Sequence, residues 1–94
     1  TFPGGQQELM SYLGKNIKYP TISQEMGSAG RVIVQFVVDK DGSISNPEVV
    51  RGVDAYLDKE AIRVISSMPK WTPGVQNGKK VRVKFTVPVS FRLQ

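Results

Sequence analysis

Ninety-four residues, 39% of them hydrophobic and 22% charged, suffice for one small core but not for two, so one domain is expected over residues 1–94. The sequence holds no cysteine and no histidine, which removes a disulfide framework, the commonest zinc ligands and every Ser-His-Asp or Cys-His arrangement, and makes catalysis a poor expectation. The formal net charge of +5 is lopsided: residues 1–69 carry seven basic and eight acidic groups, whereas 70–94 carry six basic groups and none acidic, a field that attracts acidic peptides, anionic headgroups or nucleic acid alike.

No apolar run approaches the ~20 residues of a membrane helix, and Thr1-Phe2-Pro3-Gly4-Gly5 is not a signal peptide. The missing initiator methionine suggests a fragment of a longer chain. From Gln6 to Ile17, Leu9, Leu13 and Ile17 recur every fourth residue, with Met10 and Tyr12 flanking, which predicts a helix with one apolar stripe. Lys18-Tyr19-Pro20 stops it, because the residue before proline is pushed out of the helical region. Thr21 to Met26 adds a short helical turn. Arg31 to Asp39 reads as a strand with Val32, Val34, Phe36 and Val38 on one face. Ile33 and Val37 on the other face argue for a central position. Asp39-Lys40-Asp41-Gly42 turns the chain into a second strand, Ser43 to Arg51, and Pro47 confines that strand to an edge or a bulge. Asp54 caps a helix with Leu57, Ala61, Ile65 and Met68 on one face, and Pro69 ends it.

Lys70 to Gly78 is expected to be a connecting loop. From Val81 onward every odd residue to Leu93 is apolar, and every even residue from Lys80 to Arg92 is polar or proline. Such alternation predicts one long strand with a single buried face. A hairpin followed by a helical crossover sets that strand beside the first. The expected fold is therefore α+β: two layers, a three-stranded antiparallel sheet with helices on one face, in the order α-β-β-α-β.

Residues of an antiparallel strand that share a face also share the lateral direction of their N–H and C=O groups. If the odd residues bond the first strand, Arg82, Lys84, Thr86, Pro88 and Ser90 aim their backbone at an open flank, where proline's missing donor costs nothing. That flank fits an added peptide strand; it equally fits protection against edge-to-edge aggregation by lysine, arginine and proline. Asp39-Lys40-Asp41-Gly42-Ser43 is not a calcium loop, because Ile44 and Val50 stand where glycine and a bidentate glutamate are required. Trp71 is read as a core lid before a ligand platform. Phe85 and Phe91 lie opposite the basic side chains, which argues against stacking on single-stranded nucleic acid.

Tyr19-Pro20, Gly30-Arg31-Val32, Asp39-Lys40-Asp41-Gly42, Val50-Arg51-Gly52-Val53-Asp54, Met68-Pro69-Lys70-Trp71-Thr72-Pro73-Gly74 and the closing Val81 to Phe91 segment, in this order, resemble the TonB C-terminal domain. Phe2-Pro3-Gly4-Gly5 and Pro88-Val89-Ser90-Phe91-Arg92-Leu93 resemble the version common in Bacteroidetes. The resemblance implies a non-enzymatic periplasmic module of an energy transducer, anchored in the inner membrane by an N-terminal helix and complexed there with ExbB and ExbD. It further implies that the last strand pairs with the TonB box of outer-membrane receptors and transmits energy from the proton-motive force. Carried over, the docking positions are Lys80, Val81, Arg82, Val83, Lys84, Phe85 and Thr86, with Tyr19 and Pro20 as a flank. No cofactor, metal or catalytic residue is implied, and nucleic acid is not an expected partner. The alternative is a self-associating, homodimeric or sensor domain of the same family, fused to another membrane protein of the antirepressor-peptidase type.

Overall fold

The computed structural model describes residues 1–93. In chain order it contains α1 (Gln6–Asn16), α2 (Thr21–Glu25), β1 (Gly30–Val38), β2 (Ile44–Arg51), α3 (Ala55–Ser66), β3 (Gly74–Gln76), β4 (Lys79–Val81) and β5 (Val83–Phe91). The main sheet has the order β2-β1-β5, antiparallel throughout. Its centre is the strand whose side chains alternate most cleanly. Val32, Val34, Phe36 and Val38 of β1 are all buried, and each contributes roughly 1.5–3 kcal/mol by leaving water. Arg31, Ile33, Gln35 and Val37 take the other face. The helices cover the first face only: Leu9 and Leu13 of α1 and Leu57, Ala61, Val64 and Ile65 of α3 join Val87, Val89 and Phe91 of β5 in one core.

Polar groups fix how these elements meet. At the β1–β2 turn Gly42, at φ 88°, donates from its N–H to the Asp39 carbonyl at 2.9 Å, and its own carbonyl accepts from Trp71 N–H at 2.8 Å. A side chain at Gly42 would collide with the Trp71 carbonyl, so glycine is required both for the turn and for this close approach. On β2 the register slips between Gln35↔Glu48 and Val37↔Ser45, and the slip accommodates Asn46 and Pro47 on the outer strand. The Asp54 side chain accepts from Leu57 N–H at 2.7 Å and from Ser23 Oγ at 3.0 Å, which caps α3 and ties α2 to it. The backbone bond from Leu57, helped by the Ser23 hydroxyl against the opposing effect of desolvation, holds the Asp54 carboxyl below its ordinary value.

The final strand departs from the expectation of one long element. Its alternation is unbroken in sequence, but β1 ends at Val38, opposite Val83, so residues before Val83 have no partner there. Asn77 (φ 53°) and Gly78 (φ 77°) form a tight two-residue turn that folds Gly74–Gln76 back onto Lys79–Val81. The segment expected to be a loop thus supplies β3, and the first residues of the expected strand become β4. Arg82 occupies the break and pairs with Asp39 at 3.2 Å.

Helix α3 is clipped to the end of α1 through Glu60, which is nearly buried. Its carboxylate accepts from Arg63 Nε at 2.6 Å and from Lys18 N–H at 2.6 Å, while Arg63 also donates to the Asn16 carbonyl at 2.9 Å. Burial alone would raise the Glu60 pKa, but the Arg63 guanidinium and the Lys18 amide lower it by more, so the net shift is downward. A depressed folded-state value means the stabilisation is complete above the ordinary glutamate range and is lost as pH falls through the folded value. Glu60→Gln should therefore lower unfolding stability by about 1–2 kcal/mol at pH 7. Measured by urea denaturation, the gap between wild type and variant should close below about pH 4.

Candidate functional site

Which amides of β5 face outward follows from the turn at the other end of β1. Asp39 N–H bonds the Ser43 carbonyl, on the β2 side. Lateral direction alternates along a strand, so the odd residues of β1 point to β2 and the even ones to β5. The register pairs Val32↔Val89, Val34↔Val87, Phe36↔Phe85 and Val38↔Val83 without a bulge. The odd residues of β5 therefore make the ladder, and Lys84, Thr86, Pro88 and Ser90 direct their backbone groups away from it. Among the described residues no strand pairs with that flank. Pro88 sits where a donor is not used by the fold.

The docking positions expected from the sequence separate into three groups. Lys84 and Thr86 lie on the open flank with exposed side chains, while Val83 and Phe85 turn inward, Phe85 packing on Trp71 at 5.0 Å and Phe36 at 6.3 Å between ring centres. Lys80 and Val81 belong to the β3–β4 hairpin, and Arg82 is engaged with Asp39. Tyr19 stands edge-on to Phe91 at 5.5 Å and donates its hydroxyl to the Ser28 carbonyl, so it braces the far end of β5; Pro20 precedes the first turn of α2.

Sequence reasoning passed over the groove beside this flank. Met10, 40% exposed, stands off the Leu9–Leu13 stripe of α1 and lines two cavities together with Pro88. On one side of it lies an apolar cavity of about 170 Å³, walled by Phe2, Leu9, Trp71, Phe85 and Val87. On the other lies a cavity of about 120 Å³, walled by Leu13, Ile17 and Val89. The signal available beforehand was Met10 itself, an apolar residue outside the core-facing stripe. Trp71 is buried as a lid should be, and its Nε1, without a hydrogen-bond partner among the described residues, belongs to the same ring that walls the larger cavity. Thr1 and Thr72 exchange backbone hydrogen bonds of 2.6 and 2.7 Å, which holds Phe2 edge-on to Trp71.

Lys84 is exposed beside this flank, and Arg31, opposite Ser90, is exposed on the same sheet face. Glu48 lies on the far side of β1, and Asp39, paired with Arg82, lines the same cavity as Lys84. Among the described residues no group of three His, Cys, Asp or Glu side chains is placed to hold a metal, and no helix is long and apolar enough to cross a membrane. What the site offers is a row of free backbone groups, an apolar groove below and positive charge above.

Residues 15–93 match the family described as "Gram-negative bacterial TonB protein C-terminal". The chain belongs to this TonB C-terminal family. It is 32% identical over 78 residues to the protein TonB of Pseudomonas aeruginosa, a match covering 81% of the chain but only 22% of that relative. The chain thus spans about a fifth of the length of that protein. The solution structure of the Pseudomonas aeruginosa TonB C-terminal domain superposes with a TM-score of 0.62 at 28% identity, covering 82% of this chain and 78% of that one. The Helicobacter pylori TonB C-terminal domain reaches 0.69 at 23% identity, covering 92% and 90%, a likeness of fold. The three-stranded antiparallel sheet with helices is the architecture of TonB C-terminal domains.

The assignment of the open flank has a direct readout. In hydrogen–deuterium exchange followed by NMR, the amides of Thr86 and Ser90 should exchange at least about 100-fold faster than those of Val87 and Val89. Equal protection of both sets would contradict the register argument.

Proposed function

We propose that this chain is the partner-binding domain of a TonB-type energy transducer, and that it binds the TonB box of outer-membrane receptors by adding that segment to β5. The observation that carries the reading is the flank of Lys84, Thr86, Pro88 and Ser90, whose backbone groups the fold leaves unused. An added strand gains affinity from main-chain hydrogen bonds and selectivity from alternate side chains. Docking centres on residues 84–90, and Lys80, Val81 and Arg82 extend it along the hairpin; Tyr19 and Pro20 brace the end of β5. The full-length protein works in the periplasm from an anchor in the inner membrane, with ExbB and ExbD supplying energy from the proton-motive force. Family membership supports this wider role, and the basic field of the last quarter steers a receptor segment that carries acid.

The reading is tested by titrating labelled domain with peptides copied from the N-terminal segments of receptors encoded by the same organism. Amide shifts should concentrate on Lys84 to Ser90 and weaken as salt rises. Shifts confined to β2, or a tight dimer in sedimentation that buries β5 against its own copy, would overturn it.

A further inference from the structure

The three asparagines, and the one aspartate followed by glycine, are where this chain is most open to spontaneous imide formation, in which the next backbone nitrogen attacks a side-chain carbonyl. The fold disarms three of these four positions. Asn16 ends α1 with its side-chain amide donating to the Tyr12 carbonyl at 2.8 Å, and the nitrogen that would attack it, that of Ile17, is bonded to the Leu13 carbonyl at 3.0 Å. Asn46 precedes Pro47, whose nitrogen has no proton to give up. Asp41 precedes Gly42, but Gly42 N–H is bonded to the Asp39 carbonyl at 2.9 Å, and the Asp41 carboxylate accepts from Ser43 N–H at 3.0 Å. The Ser43 hydroxyl and amide also hold the Asp41 carboxyl below its ordinary value, and an ionised carboxylate is a poor electrophile.

Asn77-Gly78 has none of these protections. Pairing of Gln76 with Lys79 closes the hairpin and leaves both turn residues outside the ladder, so the Gly78 N–H is not spent on the fold. Residues 75–80 are exposed, and a Cβ placed at Gly78 would meet nothing within 4 Å. Only three residue pairs hold β3 to β4, so the hairpin opens locally at far lower cost than the ladder between β1 and β5. The exposed Lys79 and Lys80 favour the negative charge that develops on the Gly78 nitrogen and on the tetrahedral intermediate.

We propose that Asn77-Gly78 is a self-modification site, at which the chain converts asparagine to aspartate and isoaspartate with water as the sole co-reactant. The Gly78 nitrogen bonds to the side-chain carbonyl carbon of Asn77, its proton leaves with the departing amide nitrogen as ammonia, and a succinimide remains. Water then opens the ring. Hydrolysis at the side-chain carbonyl yields aspartate; hydrolysis at the main-chain carbonyl yields isoaspartate, whose backbone runs through the former side chain. Either product carries the first pendant carboxylate between residues 70 and 94. Isoaspartate also lengthens the turn by one backbone atom, which a two-residue connection cannot absorb without losing register. The change therefore opens β3–β4 and weakens the basic field around Lys79, Lys80 and Arg82, while the main sheet keeps its pairing.

The test incubates the whole domain at mildly alkaline pH beside a synthetic peptide of residues 74–81, and follows both by mass spectrometry and the domain by amide NMR. The tryptic fragment from Trp71 to Lys79 should gain the mass that separates acid from amide and split chromatographically into two products. Its conversion should be at least about tenfold faster than any at Asn16 or Asn46, or than isomerisation at Asp41. The amides of residues 74–81 should shift in step with it, and those of β1 and β5 should stay in place. Asn77→Gly, which suits the same turn, should show neither the mass gain nor the shifts. An unchanged fragment in the folded domain after the peptide has converted would overturn the site, as would equal conversion at Asn16 or Asn46. Conversion that leaves the hairpin amides where they were would overturn the structural consequence.

Discussion

Nine consecutive residue pairs join β1 to β5 without a bulge, from Gly30↔Phe91 to Val38↔Val83, and this register settles the remaining geometry of the molecule. It sends Phe85, Val87, Val89 and Phe91 into the core and, by the same alternation, turns the backbone of Lys84, Thr86, Pro88 and Ser90 outward. On the other side of β1 the pairing is interrupted twice, and Pro47 lies in one of the slips. The two sheet edges are therefore different surfaces. The β2 edge is irregular, as edges that resist association usually are, whereas β5 runs in unbroken register along β1.

The aromatic cluster links that edge to the rest of the core. Trp71 packs on Phe2, Phe36 and Phe85, and its backbone is held by Gly42. Phe2 is fixed by the Thr1–Thr72 exchange, and α1 is fixed from below by the Glu60–Arg63 clip on Asn16 and Lys18. Residues that wall the groove are thus held by contacts to the rest of the fold.

Much of this was legible in the sequence, for identifiable reasons. The apolar period of β1, the cap at Asp54 and the stops at Pro20 and Pro69 are local signals, and the structure places the elements accordingly. Pro88 marked the outward parity of β5 before any coordinates, because a missing donor is tolerated only where no ladder bond is made. The division of the last strand was not legible from alternation, which is the same on both sides of Arg82. It depends on where β1 ends and on Asn77-Gly78 closing a hairpin, a competition between two partners for one segment. The groove was hidden for a similar reason: Met10 and Pro88 are remote in sequence and line the same cavities only once the chain is folded.

Pro88 also bears on stoichiometry. Two copies meeting edge to edge about a twofold axis would each present the same proline, so any symmetric register that spans it forgoes two hydrogen bonds. A single foreign chain forgoes one. At about 0.5–1.5 kcal/mol net per bond, that difference weights the edge toward heterotypic company, and one imino acid tilts the balance between mating with a twin and receiving a guest.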